Sequence, residues 1–387
     1  MRSDTDKSGN ACQRPVEELM DFGVFNLLQH RDRSISPHQV IEEALSHTRL
    51  AEELGFERAW FAEHHFSNYS LCPSPLIFCA QAAAMTKRIR VGSAVLILPL
   101  HEPARVIAEI ALVDTLSGGR LDVGVGSGYQ TYEFERLGAE MSQNKVVFNE
   151  MLDMIDLGLR EPNFSYKGEF YEQLQTAINV RPTQSPYPPI WIAGSDPNSH
   201  RRCARDGYIP FISGGLENAD TIKRMRDQVA QCYVEEDKDP ATMPLGVLRF
   251  VCVSDDPSTI DRYVDGARFQ KRIAMSLRHR RETMVDDYMV DEVPFPDEPT
   301  PQEIAGNIVV GNAQAVAEQL CGEIELYGPQ HMSIYFAVGD LPSSAAAKSM
   351  EQFSTKVVPM IEAHFGRPLS EISDAPMPTP MPSVAAE

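Results

Sequence analysis

Two adjacent imidazoles, His64 and His65, follow a carboxylate, Glu63, in the stretch AWFAEHHF (59–66). The apolar run before them reads as a buried strand, so the three polar groups stand at a strand's carboxyl end. Neighbouring strand residues point to opposite faces, which puts Glu63 and His65 on one side and His64 on the other. The two histidines therefore do not easily ligate one metal, and no HxH or HExxH spacing or second His/Asp cluster supports a metal site. A histidine ordinarily titrates near pH 6.5, which suits general acid or base work. A satisfied core histidine is the competing reading of the same residues.

Two glycine-bearing stretches could meet a phosphate. DVGVGSGYQ (122–130) has its glycines inside and at the end of a strand, without dinucleotide spacing or a following GK[ST], so alone it says little. WIAGSDPNSH (191–200) passes from a strand through Gly194 and Ser195 into a helix start. The unpaired N–H groups of a first helical turn favour an anion, with Ser195 and Ser199 as hydroxyl donors. A plain capping serine needs no ligand, and both readings stand at this point.

The elements that must position these groups alternate. Apolar strand-like runs are expected at 21–28, 57–66, 89–98, 120–128, 188–195, 208–214, 245–254 and 331–339. Helical segments lie between them. In the first, Ile41, Leu45, Thr48, Ala51 and Leu54 recur at helical spacing before Gly55 ends the run. Others are expected at 74–86, 103–119, 143–160, 197–206, 218–236, after the seventh strand, and at 344–365. Eight strand-then-helix units with near-continuous apolar strands predict an α/β fold, a (β/α)8 TIM barrel, with a doubly wound open sheet as runner-up. Residues 283–305 break the rhythm with seven carboxylates, four prolines and no basic residue, and are expected to form an excursion from the seventh unit, a lid or a disordered loop. Domain limits follow: a tail over 1–20, a barrel over 21–365, and a proline-rich tail over 366–387.

Composition narrows the partners. A chain of 387 residues suits one barrel of about 250 residues with insertions. With 35 Lys and Arg against 55 Asp and Glu, the net charge of −20 repels phosphate backbones and anionic lipid, so neither nucleic acid nor membrane is an expected partner. The polar N-terminus lacks a signal-peptide run, and no stretch reaches the roughly 18 apolar residues of a membrane span. Seven cysteines without a CxxC pair read as free thiols in a reducing compartment, and a cytoplasmic location is expected.

Three stretches, ELGFERAWFAEHHF, the block from Val91 to Gly138, and PPIWIAGS, together resemble the bacterial luciferase-like flavin-dependent monooxygenases over roughly residues 21–365. The resemblance implies a (β/α)8 barrel, often with an excursion in the seventh unit. It implies reduced FMN from a separate flavin reductase, O2 as cosubstrate, a small organic substrate and a homodimer. Residue by residue, His64 matches the catalytic histidine, and Ala94 and Val95 match a non-prolyl cis peptide under the flavin ring. Ser127 and Tyr129 match the loop after the fourth strand, and Gly194, Ser195, Asn198 and Ser199 match the phosphate site. The sequence departs at Ser127, where bacterial luciferase has an arginine, so phosphate charge must be met elsewhere or the cofactor held less tightly. Alternatives on the same barrel are a deazaflavin-dependent hydride-transfer enzyme and a flavin-binding protein without turnover.

Overall fold

The structure, a computed structural model, describes residues 20–371. The tail expected over 1–20 lies outside the described residues up to residue 19, and the proline-rich tail does so from residue 372. Its first residues are tied down: Leu369–Glu371 form a 3-10 turn and the Leu369 amide donates to Glu362 at 3.0 Å.

Eight parallel strands close into a barrel: β1 (Asp21–Asn26), β2 (Arg58–Phe61), β3 (Arg90–Ile97), β4 (Leu121–Gly126), β5 (Ile190–Ala193), β6 (Ile209–Ser213), β7 (Gly246–Val253) and β8 (His331–Tyr335). Closure is complete because β7 pairs both with β6, Phe211 opposite Gly246, and with β8, His331 opposite Gly246. Each lies within a run expected from sequence, and the open-sheet alternative is excluded.

The helices follow the local chemistry of their ends. They are α1 (Pro37–Glu53), α2 (Pro75–Met85), α3 (Pro103–Ser117), α4 (Thr131–Leu137), α5 (Asn144–Arg160), α6 (Pro197–Asp206), α7 (Ala219–Glu235), α8 (Pro257–His279), α9 (Pro301–Asn307), α10 (Ala313–Tyr327), α11 (Ser343–Gln352) and α12 (Val358–Phe365). Ser36 caps α1 by accepting from the Gln39 amide at 3.2 Å, and Pro37 fits the first turn, where its missing N–H costs nothing. A π-helical turn, Phe353–Val357, joins α11 to α12.

Inside the barrel Trp60 and Trp191 meet edge to face at 5.3 Å between centroids, beside Phe211 and His331. Such layers need bare backbone opposite them. A Cβ on Gly92 would lie 2.5 Å from the Trp60 ring, and one on Gly246 2.4 Å from Phe211. Below the rings a polar plug links Asp21, Arg58, Asp122 and Arg90. His331 accepts from the Trp60 indole at 2.8 Å through Nε2 and donates from Nδ1 to Asp21 at 2.5 Å, a neutral tautomer. Burial pushes its pKa well below the usual range, which agrees with that tautomer.

Several features were not expected, the short helix α4 after β4 among them. An antiparallel hairpin, Asn163–Lys167 with Glu172–Ala177, separates α5 from β5. In the seventh unit, α8 does not descend beside β7 but crosses the carboxyl mouth. Its Tyr263 hydroxyl bonds the Tyr335 carbonyl beyond β8, Phe269 lies under Arg31 beyond β1, and Gln270 reaches Tyr69 beyond β2 at 2.6 Å. Its last turn accepts from Thr131 beyond β4 at 3.1 Å. At 1.5 Å per residue, its 23 residues span about 34 Å, enough to bridge the mouth. The helix outside β7 is α10 instead, preceded by a short strand, Val309–Gly311, that pairs with β7.

The excursion at 283–305 is folded. Met284–Val285 and Tyr288–Met289 form a small hairpin, and Pro301–Asn307, expected as part of the irregular segment, is α9 with a Thr300–Glu303 capping box. Met289 is buried and its amide donates to Asn68 at 2.9 Å. Arg31 pairs with Glu292 and Arg272 with Glu298, which fastens the segment to the far side of α8.

Among the described residues no helix is long and apolar enough to cross a membrane. The six described cysteines are unpaired and buried.

Candidate active site

A cavity of about 760 Å³ opens at the carboxyl ends of the strands, floored by Trp60 and Trp191 and roofed by α8. Its shape follows from backbone without side chains. A Cβ on Gly124 would lie 2.1 Å from the Ser93 carbonyl oxygen and one on Gly126 2.8 Å from Val95, so only glycines let the end of β3 lie this close to β4. There the pairing register shifts between Ser93 and Leu96, and the Ala94–Val95 peptide is cis.

His64 lines the cavity at the end of β2, while His65 turns away. Glu63 sits between His65 Nε2 at 2.8 Å and His101 Nε2 at 2.9 Å and accepts from the Ile97 amide at 2.9 Å. Burial, the largest influence on Glu63, favours the neutral acid, but the bonds from His101, His65 and Ile97 outweigh it and hold the carboxyl below its ordinary range. Burial likewise opposes a charged His101, and the Glu63 bond overcomes it, raising the imidazole above its ordinary value. This trio braces the β2 and β3 loops. Among the described residues no group of three or more His, Cys, Asp or Glu is placed to hold a metal ion.

His64 has a different partner, one that sequence reasoning missed. Its Nδ1 lies 2.9 Å from the carboxylate of Glu133 on α4, which also accepts from the His65 amide at 2.7 Å. Glu133 is fully buried and its second oxygen has no protein partner. A carboxylate at Nδ1 fixes the proton there and leaves Nε2 as the basic nitrogen of the ring. The ring stands edge-on to Tyr69 at 4.6 Å between centroids. The Tyr69 hydroxyl is 3.1 Å from that of Tyr129 and accepts from Gln270 of α8. Burial, and next the neighbouring Tyr129, push the Tyr69 phenol well above its usual pKa, so it is a neutral hydrogen-bonding group.

The opposite wall is the turn from β5 into α6. Gly194, Ser195 and Ser199 line the cavity together with Ser127, Tyr129, Ala94 and Val95. Asn198 does not; its side chain accepts from Arg201 at 2.9 Å, away from the cavity. Gly194 has φ 151°, and a Cβ there would meet nothing within 4 Å. His200 bonds the Gly194 carbonyl at 3.0 Å and sets the turn. Asp196 occupies the cap position of α6 without making a side-chain cap, so the first-turn amides are left without a side-chain acceptor. Lys145 of α5 stands at this rim, its Nζ 3.6 Å from Asp196. Asn144 holds the β4 loop by donating to the Ser127 and Gly128 carbonyls at 3.2 and 3.0 Å.

Glu133 lies six residues past Ser127 in a short, mixed helix, and no periodicity marks it as buried. Gln270 and Lys145 belong to helices that sequence patterning places around the barrel, not at its mouth. The basic imidazole, a bare-backbone cradle and an anion-favouring helix start therefore share one enclosed space, suited to a flat ligand with an anionic tail.

A family model described as luciferase-like monooxygenase matches residues 20–330. The chain is 36% identical over 348 residues to an uncharacterised protein, y4vJ, of Sinorhizobium fredii, covering 90% of this chain and 99% of that one. It is 26% identical over 347 residues to the oxygenase component of the flavin-dependent trigonelline monooxygenase of Acinetobacter baylyi, covering 88% and 95%. Among solved structures, the oxygenating constituent of 3,6-diketocamphane monooxygenase from Pseudomonas putida, in complex with FMN, superposes with a TM-score of 0.72 at 21% identity, covering 88% and 98%. That likeness bears on the fold alone.

Proposed function

The chain belongs to the luciferase-like monooxygenase family, and from that premise we propose that it is the oxygenating component of a two-component system, taking reduced FMN from a separate flavin reductase. The observation that carries the reading is the convergence of His64, the Ala94–Val95 peptide and the α6 helix start on one cavity of about 760 Å³, within the range that holds a cofactor and a small substrate. Reduced flavin and O2 supply the oxygen atom transferred to a small organic substrate.

The protein's residues bind, orient and exclude water. Ala94 and Val95 support the ring system, with the bare backbone of Gly124 and Gly126 behind them. Gly194, Ser195, Ser199 and the α6 amides near Asn198 would hold the phosphate, with Ser127 and Tyr129 at its flank. Lys145, at the rim beside Asp196, would supply the cation that Ser127 lacks. His64, held by Glu133, accepts or returns a proton through Nε2. The segment 283–305 steadies α8, which closes the mouth. A homodimer forms through α2 and α3, where Ile77, Leu112 and Leu116 expose apolar side chains.

The test is a titration of the full chain with reduced FMN and reduced riboflavin under nitrogen, followed by admission of air. FMN is expected to bind more tightly, and Ser195→Ala or Ser199→Ala to weaken FMN more than riboflavin. Substrate oxidation is expected only with air. Equal weakening of both flavins moves the phosphate elsewhere, and turnover that needs no oxygen favours hydride transfer with a deazaflavin.

A further inference from the structure

The basic residues of α8 divide into two sets. Those turned from the cavity are paired: Arg262 with Asp340 at 2.9 Å, Arg268 with Asp265 at 2.5 Å and Arg272 with Glu298 at 2.6 Å. The cap residue Arg280 is paired with Glu282 at 2.8 Å. Lys271 and Arg278 line the cavity, and neither has a carboxylate within ion-pair distance among the described residues. In a chain of net charge −20, acids are available to neutralise them, and none is placed to do so.

Cations in a last helical turn complement the helix dipole, which accounts for Arg278 and His279 as a purely structural choice. Lys271 lies two turns earlier and is not explained that way. Residues 271 and 278 are seven apart, so both project from one face, roughly 10 Å apart along the axis, within reach of a common ligand atom through their long side chains. Of the acids lining the same cavity, Glu63 is engaged with two histidines and Asp196 stands beside Lys145, while Glu217 is exposed and within ion-pair distance of neither Lys271 nor Arg278.

We infer that the organic substrate carries an anionic group, of the carboxylate class, seated under α8 between Lys271 and Arg278. The inference rests on the oxygenase reading above, which places the flavin phosphate at α6 and leaves these cations for the second ligand. A guanidinium presents paired donors to a carboxylate, and in a space closed by α8 such charge-assisted bonds are stronger than in open water. The Tyr69 and Gln270 side chains beside them orient the rest of the molecule towards His64.

The probes are three acid and amide pairs of increasing size: butyrate and butyramide, hexanoate and hexanamide, benzoate and benzamide. Each is titrated calorimetrically into the full chain, with and without saturating FMN. For at least one pair the acid is expected to bind ten-fold or more tightly than its amide. Lys271→Met with Arg278→Met should bring that pair within about two-fold, while Arg278→Lys alone keeps most of the preference. The double variant should retain the wild-type unfolding temperature and preference for FMN over riboflavin. The inference is overturned if no acid exceeds its amide, if the preference survives the double variant, or if that variant loses discrimination between FMN and riboflavin. The last outcome would assign the cations to the cofactor phosphate. Failure of FMN to bind at all, with the acid preference intact, would sink the oxygenase reading and leave the anion site standing.

Discussion

A histidine at a strand end has a defined ring orientation only when something fixes it, and for His64 that is Glu133. Replacing His64 by Ala is expected to lower coupled oxygenation about 10²–10⁴-fold with FMN affinity little changed. His65→Ala should do much less. Glu133→Gln should cost about 10–100-fold in kcat and alter its pH profile without loosening FMN, since a second carboxylate acts by holding its imidazole. The two losses should not add in a double variant; additive losses measured by stopped-flow would separate Glu133 from His64. The Glu63–His101 pair makes a prediction about stability instead. The His101 pKa is raised on folding, so its contribution is fully present below about pH 6.5, the unfolded value, and is lost as pH climbs through the higher folded value. Glu63, held below its ordinary range, stays ionised throughout that window. His101→Asn should therefore lower the unfolding temperature most near pH 6, with the gap to wild type narrowing towards pH 9. A gap that widens with pH would reverse the assignment. That His64 and His65 part company could be read from sequence, although β2 ends at Phe61 and it is the hydrogen bonds to Glu133 and to Glu63, itself at the cavity, that turn the two rings apart. Glu133 could not, because Tyr132, Glu133 and Phe134 are all buried, and three consecutive buried residues leave no helical pattern to read.

At the scale of elements, the eight barrel strands were legible because parallel strands buried on both faces appear as short continuous apolar runs. The hairpin at 163–177 was not, since Phe164 is the one buried residue of its two strands and the others are polar, half-buried or, like Leu174, exposed. The course of α8 was hidden for another reason. Periodicity identifies the buried face of a helix but not the surface it is buried against, and the apolar side of α8 suits the barrel mouth as well as its flank. The same ambiguity surrounds 283–305, whose composition suits a lid or a wet, disordered loop and whose charges bind it to α8 and the β1 loop through Arg272 and Arg31. Replacing residues 285–299 by a short Gly-Ser linker removes both ion pairs and the buried Met289, while sparing the Thr300 cap of α9. The barrel should remain folded and bind FMN, but hydrogen peroxide released per reduced FMN oxidised should rise at the expense of product, because a loosened roof admits water. Unchanged coupling would mean that α8 keeps its position without this support.

For the whole molecule, the exposed apolar faces of α2 and α3 stand out against a surface that is otherwise strongly acidic. Light scattering is expected to give twice the chain mass, and Ile77→Lys with Leu116→Glu to give the monomer with its fold intact. A wild-type monomer would leave these side chains as isolated surface residues. The arrangement of the mouth has a further implication, for how such proteins diversify. The groups proposed to hold the flavin come from the second to fifth βα units, scattered along more than a hundred residues, whereas the roof and its support come from one uninterrupted stretch between β7 and α10. Recombination confined to that stretch can exchange the ceiling of the cavity as a cassette while the floor and cofactor cradle are inherited unchanged. A lineage can thus alter the ceiling of this cavity through a single genetic event, and a designer grafting a relative's segment at residues 254–312 has to keep its partners outside that stretch matched, Arg31, Asn68, Tyr69 and Thr131 among them.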